Sequence, residues 1–421
     1  MGASWPPPLP ELHCLRTLTR KAIFAENWAG MDFRLSAEEA RFQHEVHDWL
    51  VANLPPGWGT PAYRMAEGPE EKVRFARWWQ RRLYEGGWAG LSWPKEYGGR
   101  GATPLEQLLF AEEYVRVGAP AMIDIGVGPA LVGPTLVHHG TERQKGRFLR
   151  GILTGEEVWC QGFSEPNAGS DLAACRTRAD LRGDVFHVTG QKIWTSYARL
   201  ADWCILVVRT DSQAPKHHGL TFLLVDMKSP GITIRPLVEM TGVAWFNEVF
   251  FDDVQVPRAN MIGELNQGWT IAITTLAHER GGSAPHARLQ GEMRDVLALA
   301  RRLLLTTDRR WRQRLAQSFV ETEILRLLAY KQVSDIMRTG QPGPEGSCLK
   351  LVWSETDQRM KEVAIELEGP YAALARGSSR AIDAGCWQHE YLWSRAATIY
   401  AGTSEVQRNI IAQRVLGLPR E

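Results

Sequence analysis

The spacing of hydrophobic residues changes twice along this chain. From residue 36 to about 155, apolar side chains recur with the period of a helix. Between about 158 and 257, short β-rich runs are separated by Gly-Asp, Pro-Gly and Asp-Asp turns, with no helical pattern between them. After residue 268 the helical spacing returns and continues to the end. This order predicts an α+β fold: an N-terminal helical domain, a central antiparallel β-barrel or sandwich, and a C-terminal helical bundle.

Local signals mark the starts of several helices. Ser36, Thr103 and Thr141 each precede a Glu or Gln by three residues, which is the capping-box pattern. Ser404 precedes Gln407 in the same way and predicts another helix start. In the predicted bundle, apolar residues make two stripes at helical spacing, one of Ala316, Val320, Ile324 and Leu327 and one of Val352, Thr356, Met360, Val363 and Leu367.

The first 30 residues differ from the rest of the chain. They are rich in proline near their start and lack the apolar segment and small-residue cleavage site of a secretory signal. A transit peptide is the alternative that we favour less, because prolines and acidic residues interrupt any amphipathic helix. We take Met31 as the effective start of the fold. The predicted segments are an extension expected to be disordered (1–30), the N-terminal helical domain (31–155), the β domain (156–264) and the C-terminal bundle (265–421).

Composition narrows the function classes. A chain of 421 residues with 44% hydrophobic and 23% charged residues is expected to fold into two or three globular domains. A net charge of +1 does not favour nucleic acid, and no apolar run approaches the length of about 18 residues that a membrane span needs. Six scattered cysteines without metal-ligand spacing predict reduced thiols, no metal and a cytoplasmic protein. The motifs of Rossmann, P-loop, zinc-protease and serine-hydrolase sites are absent from the sequence.

Three separated stretches combine small residues, hydroxyls and a tryptophan. CQGFSEPNAGSD (160–171) follows a predicted strand, and its small residues leave backbone N–H groups free to meet phosphate or ring oxygens. GQKIWTSYA (190–198) places Trp194 beside two hydroxyl residues, and IYAGTSEVQRNII (399–411) opens a helix with a small-residue turn. Each stretch alone is a weak signal, since an isolated tryptophan in a chain with 17 of them is more often a core residue.

Together, and in this order, the three stretches closely resemble the flavin-binding set of the acyl-CoA dehydrogenase family, from about Met31 to Leu418. The resemblance implies FAD between the β domain and the bundle, in a homodimer or homotetramer. It implies that Ser164 donates to the pyrimidine edge of the flavin, that Trp194 covers the isoalloxazine and that Ser196 lies by N5. The implied cofactor-binding residues are Phe163, Ser164, Gly169, Ser170, Trp194, Ser196, Gly369, Gly402, Thr403 and Glu405.

The family converts an acyl-CoA thioester to the trans-2-enoyl-CoA, which needs a carboxylate base for the α-proton. Many members carry this base directly before the Gly-Thr of the C-terminal turn, where this chain has Ala401. Others carry it before an arginine on the first long helix of the C-terminal domain, and there Glu279 precedes Arg280. By this match Glu279 is the expected base; without the resemblance, a surface glutamate would be the better interpretation.

Glycines and an alanine near the expected base suggest the kind of substrate. Gly281 and Gly282 interrupt a helical stretch at a cost of about 1 kcal/mol each relative to alanine, which a close approach by a ligand would explain. Ala401 keeps the backbone N–H that polarises the thioester carbonyl in the resembled site. We therefore expect a branched, cyclic or otherwise bulky acyl group, with Arg280 on the substrate side. His278 is expected to pack between helices or face CoA.

Two family motifs are altered here. Where an Arg-x-x-Phe-Gly motif commonly reaches the FAD of the neighbouring subunit, this chain reads LLLTTDRRWRQRLAQ. The stretch ELEGP (366–370) keeps only part of a Gln-x-Leu-Gly-Gly motif, including Gly369. Both changes affect the contacts expected between subunits.

Three functions therefore remain open on the sequence. The first is an FAD-dependent acyl-CoA dehydrogenase that passes electrons to an electron-transfer flavoprotein or similar acceptor. The second is a flavoprotein of the same fold with other chemistry, such as an oxidase or an enzyme that acts on a carrier-bound acyl group. The third is a non-catalytic subunit of a heteromer that binds acyl-CoA or FAD.

Overall fold

The computed structural model describes residues 34–60, 63–66, 68–121, 125–281 and 285–419, without the side chains of 279–281. The chain divides into two compact units, residues 1–42 and 43–421. In the described part of the first unit, the predicted capping box is present: Glu39 N donates to Ser36 Oγ at 3.2 Å, and Ser36 N donates to Glu39 Oε2 at 2.6 Å. The predicted extension, 1–30, lies outside the described residues.

Helices precede and follow the strands, as the hydrophobic spacing predicts. Thr103 and Thr141 cap their helices with complete capping boxes, which confirms both predicted starts. Among the described residues no helix is long and apolar enough to cross a membrane. The α-helices are α1 (Ala37–Asn53), α2 (Gly68–Glu85), α3 (Pro104–Arg116), α4 (Gly133–His139), α5 (Glu142–Thr154), α6 (Gly268–Gly281), α7 (Pro285–Arg302), α8 (Arg309–Thr339), α9 (Gly346–Glu368), α10 (Cys386–Ser394) and α11 (Ser404–Ile410).

The strands form one mixed sheet. They are β1 (Trp159–Gly162), β2 (Arg178–Arg182), β3 (Val185–Lys192), β4 (Trp203–Arg209), β5 (Leu220–Asp226), β6 (Ile232–Leu237), β7 (Phe246–Pro257) and β8 (Met261–Ile262). The order in the sheet is β6-β7-β3-β2-β4-β5-β8, and β1 also pairs with β4. The pairings are antiparallel except those of β1 and β2 with β4, which are parallel.

The α+β class is therefore confirmed, but the sheet is not wholly antiparallel as predicted, because β1 and β2 both pair in parallel with β4. In the sheet, β4 and β5 are adjacent, and nearly all of their residues are buried because both read as continuous apolar runs. A separate apolar cluster fills the bundle, with Met360, Val363 and Leu367 of the predicted α9 stripe in it. The limits of the four predicted segments stay a prediction.

The predicted stripe on α8 faces outward instead. Val320, Ile324 and Leu327 are about half exposed, whereas Leu315 and Leu325 are buried. The helix carries apolar residues on two faces, and spacing alone does not tell which face meets the core.

Candidate active site

The first predicted stretch forms a tight loop after β1. Glu165 N donates to Ala168 O and Ala168 N donates to Glu165 O, both at 3.0 Å. Phe163 is buried, and its ring meets Phe222 of β5 edge-on at 5.8 Å. Gly169 and Ser170 are exposed, and a side chain at Gly169 would meet open space. The loop therefore has small, solvent-accessible residues at one edge and the buried ring of Phe163 at its start.

A buried ion pair locks this loop to the sheet. Lys192, at the end of β3, has no exposed side-chain area, and its Nζ donates to Glu165 Oε1 at 2.8 Å and to Phe163 O at 3.0 Å. The Glu165 carboxylate also accepts from the backbone N–H groups of Arg176 and Thr177, at 2.7 and 2.8 Å. Burial alone would raise the pKa of Glu165, but Lys192 and these donors lower it below its ordinary value. The carboxylate is thus held charged.

The second stretch continues directly from this lysine. Ile193 N donates to Ser164 O at 2.9 Å, which joins the two predicted stretches. Trp194 follows with φ of 60° and is 57% exposed, and Thr195 is tied to Asn247 by two hydrogen bonds of 3.1 and 2.9 Å. A bulky residue at positive φ has a strained backbone, so this exposed tryptophan is kept in place at a cost in conformational energy. Ser196 lies two residues along the same turn and is half-buried.

The third stretch is a strained turn before α11. Ala401 and Gly402 have φ of 53° and 89°. Gln407 is fully buried, and its Nε2 donates to Ala401 O at 3.0 Å and to Gly402 O at 3.2 Å. The helix cap is Thr403, whose Oγ1 accepts from Val406 N at 3.2 Å. The prediction of Ser404 as the cap is therefore wrong. The sequence alone does not distinguish two adjacent hydroxyl residues, whereas in the structure the left-handed backbone at Gly402 places Thr403 at the cap position.

Helix α9 supports this turn. Gln358 Nε2 donates to Ser394 O and Thr398 Oγ1, each at 3.0 Å, and Lys350 Nζ donates to Ala397 O at 2.8 Å. An open cavity of about 510 Å³ lies between α9 and the turn. It is lined by Glu355, Gln358, Arg359, Glu362, Thr398, Ile399, Thr403, Ser404, Glu405 and Arg408. Thr403 and Glu405, two predicted cofactor residues, thus border a cavity that can hold a ligand.

Gly369 is not brought to this turn. It ends α9 with φ of 57°, eleven residues beyond Gln358, or about 16 Å along the helix. The preceding Glu368 is buried, which raises its pKa to about 6, and accepts from Gln388 Nε2 at 2.6 Å. Within this chain, Gly369 belongs to a different region from the other predicted cofactor residues.

The expected base lies near the end of α6. The structure gives the backbone of Glu279, Arg280 and Gly281 as helical, whereas their side chains and all of Gly282 lie outside the described residues. The roles of these four residues stay predictions.

The preceding turns of α6 pack on α4. Thr275 Oγ1 and Thr135 Oγ1 are hydrogen-bonded at 2.8 Å, and the ring of His278 stacks on His138 at 5.3 Å. Burial lowers the pKa values of His278 and His139, and the neighbouring imidazoles lower them further. The helix that carries the expected base is therefore anchored to α4 by a hydrogen bond and a ring contact, and His278 in that contact has a lowered pKa.

Unpartnered polar atoms test whether the site suits a flavin nucleotide. In the described part of the chain, fifteen buried side-chain polar atoms have no hydrogen-bond partner, and two of them are Thr195 Oγ1 and Ser404 Oγ. One belongs to the Trp194 turn and the other to the C-terminal turn. Buried polar groups normally have a partner, so both turns suit a ligand rich in hydrogen-bonding atoms. With the open edge at Gly169 and the exposed ring of Trp194, these residues fit FAD.

The supporting roles of two residues were not predicted from the sequence. For Lys192 the sequence does contain a signal. A lysine at the end of a strand, with Glu165 in a nearby loop, could have indicated a buried ion pair. Gln407 has no comparable signal, because a glutamine in the first turn of a helix usually indicates a cap.

Comparison with known proteins finds matches along most of the chain. Three family models match successive parts: the N-terminal domain of acyl-CoA dehydrogenase at residues 36–156, its middle domain at 160–254 and its C-terminal domain at 266–416. Acyl-CoA dehydrogenase IpdE1 of Mycobacterium tuberculosis is 40% identical over 90% of this chain and 98% of that protein.

Solved structures agree in fold. The Tcur3481-Tcur3483 steroid ACAD matches with a TM-score of 0.80 and 32% identity, over 93% of this chain and all of that one. The ChsE4-ChsE5 complex from Mycobacterium tuberculosis matches with a TM-score of 0.79 and 31% identity, over the same shares.

We predict that Lys192→Met destabilises the protein by about 3–5 kcal/mol, because Glu165 is left buried without its cation. Urea unfolding measures this loss. The matched control is Lys216→Met, which removes an exposed partner of Asp171 next to the same loop and is expected to cost at most about 1 kcal/mol. Equal losses in both variants would contradict the buried ion pair.

His139 and His278 are predicted to lower the stability as the pH drops below the ordinary histidine pKa of 6.5, whereas Glu368, whose pKa is raised to about 6, contributes in the opposite direction. The folded-state pKa values of His139 and His278 are depressed, so the unfolded chain binds more protons and acidification favours it. Melting temperatures at about pH 7.5 and about pH 5.5, on either side of that value, measure the effect. His278→Gln should reduce the difference, whereas His218→Gln, at an exposed loop position, should leave it unchanged. No reduction in the first variant would argue against the cluster.

Proposed function

Because this chain belongs to the acyl-CoA dehydrogenase family, we propose that it dehydrogenates an acyl-CoA thioester at the α,β-bond with Glu279 as the base. The chain is an oxidoreductase of this family by its three matching domains. The observation that carries the proposal is the meeting of the Ser164 loop and the Trp194 turn through one backbone hydrogen bond. Two of the three stretches that resemble the family's flavin site thereby share one surface.

Glu279 removes the α-proton in this proposal. Glu279 directly follows His278, whose pKa is lowered by burial and by the neighbouring imidazoles. Because a histidine cation is disfavoured at this neighbour, we expect a raised proton affinity for the carboxylate. The N–H of Ala401 donates to the thioester carbonyl oxygen and stabilises the charge that develops there. The strained turn held by Gln407 keeps this N–H in one orientation.

Members of this family depend on a flavin, and this chain has residues that fit FAD. Bound FAD supplies the hydride acceptor, N5.

The residues proposed to hold FAD come from both sides of the site. Ser164 and Phe163 would hold the ring edge, Trp194 would cover the ring, and Ser196 would lie by N5. Gly169 and Ser170 would contact the pyrophosphate, with Gly402, Thr403 and Glu405 on the bundle side.

The substrate is proposed to carry a bulky, cyclic acyl group of the steroid type. Ala401 has a methyl group where many relatives carry the base, and this leaves room beside the acyl chain. The name of the solved structure matched with a TM-score of 0.80 describes a steroid ACAD, which supports the same class.

A homologous second subunit is proposed to complete the assembly. This chain lacks the Arg-x-x-Phe-Gly motif, and its Gly369 lies far from its own C-terminal turn. The solved ChsE4-ChsE5 complex pairs two different chains, which favours a heteromer over the homodimer or homotetramer expected from the family. An electron-transfer flavoprotein is the proposed acceptor, and the cytoplasmic location stays a prediction.

Glu279→Gln is predicted to bind acyl-CoA but to lose flavin bleaching under anaerobic conditions by about 10²-fold or more, because the amide cannot take the α-proton. Stopped-flow absorbance of the FAD-loaded protein measures the rate. Glu142→Gln, at an exposed position in α5, is the control and should bleach like wild type. Undiminished bleaching in Glu279→Gln would place the base elsewhere. Hydrogen peroxide release on aerobic turnover would favour an oxidase.

A panel of thioesters tests the acyl group. We expect polycyclic and branched acyl-CoAs to show higher kcat/KM than butyryl-CoA or octanoyl-CoA, because the space beside Ala401 is filled only by a bulky group. Ala401→Leu should lower kcat/KM for the polycyclic substrate more than for butyryl-CoA. Fastest turnover of short straight chains would refute the proposed substrate class.

A further inference from the structure

A stack of three aromatic side chains joins the sheet to the bundle. Trp194 meets Phe246 edge-on, with ring centroids 5.9 Å apart and an interplanar angle of 81°. Phe246 in turn stacks on Trp393, with centroids 5.8 Å apart and an interplanar angle of 5°. Phe246 begins β7 and Trp393 lies near the end of α10. The proposed cover of the flavin is thus linked to the C-terminal bundle through one ring.

The backbone on both sides of Trp194 is fixed, but its side chain has little support. Ile193 and Thr195 are hydrogen-bonded to Ser164 and Asn247, while the indole is 57% exposed. Among the described residues, the ring that contacts Trp194 is that of Phe246. The direction of the indole therefore depends on where Phe246 holds it.

Phe246 is limited by Trp393. Two parallel rings at this separation stabilise each other beyond the area that they bury, and a half-buried Trp393 leaves Phe246 less freedom to rotate. The helix under Trp393 is itself anchored, since Gln358 donates to the carbonyls of Ser394 and Arg395 at 3.0 and 3.3 Å. Eight residues after Trp393 the chain reaches Ala401, so the same segment supports the cover and the C-terminal turn.

We propose that Trp393 is a positioning residue: through Phe246 it sets the orientation of the Trp194 indole over the flavin ring. The bundle thereby controls both sides of the reacting centre, the turn at Ala401 and the aromatic cover on the sheet. This inference rests on the proposed function, because it takes Trp194 as the cover.

The test compares Trp393→Leu and Trp393→Phe in the FAD-loaded protein. Trp393→Leu is expected to raise the Kd for FAD about three- to tenfold and to change the visible circular dichroism of bound FAD, which reports the asymmetry around the ring. Trp393→Phe keeps a ring against Phe246 and should restore most of both. The control is Trp58→Leu, which removes an equivalent stack, that of Trp58 on Phe75 of α2 with centroids 5.6 Å apart and an interplanar angle of 5°. Trp58 lies outside every stretch predicted to contact FAD, so this variant should lose stability without changing the flavin signal.

A double-mutant cycle separates positioning from general packing. In a Trp194→Ala background, Trp393→Leu should cause no further change in Kd or in the flavin signal, since the residue that it positions is absent. The inference is overturned if the effect of Trp393→Leu persists undiminished in that background, or if Trp58→Leu changes the flavin signal equally. Wild-type protein that binds no FAD, with its partner chain where one co-purifies, would overturn the proposed function, and this inference with it. FAD binding with an unaltered Trp393→Leu signal would overturn the inference alone.

Discussion

The buried ion pair between Lys192 and Glu165 is the constraint on which the candidate site depends. A lysine without exposed side-chain area is tolerated only when an anion and further acceptors replace its water. Here they are the Glu165 carboxylate and the carbonyl of Phe163, both in the loop that is proposed to hold the flavin edge. Lys192 is also the last residue of β3 and lies two residues before Trp194. The same ion pair therefore holds the Glu165 loop, the end of β3 and the beginning of the Trp194 turn in place.

The bundle side of the site is held differently. Its turn has two successive residues at positive φ, and neutral amide hydrogen bonds from Gln407 keep it in shape. Such bonds contribute about 1 kcal/mol each, far less than a buried ion pair can cost when it is broken. We therefore expect the sheet side to be the more stable of the two, and the C-terminal turn to be the easier one to disrupt by substitution.

The fold class could be predicted because the spacing of hydrophobic residues depends only on neighbouring positions in the sequence. Three capping boxes were predicted correctly for the same reason. The parallel pairing of β1 and β2 with β4 could not, because it joins segments far apart in sequence. The exposed face of α8 and the distance of Gly369 from the C-terminal turn also depend on packing. For the site, three stretches were found by resemblance, whereas the roles of Lys192, Gln407 and Trp393 emerged only when neighbours in space were known.

The central claim is that the Ser164 loop, the Trp194 turn and the Ala401 turn form one flavin site. A crystal structure of the protein with FAD, and with its partner chain where one co-purifies, tests this most directly. The account predicts the isoalloxazine between Ser164 and Ala401 with the Trp194 indole against it. A flavin bound elsewhere, or one that contacts only the sheet side with the Ala401 turn remote from it, would contradict the account.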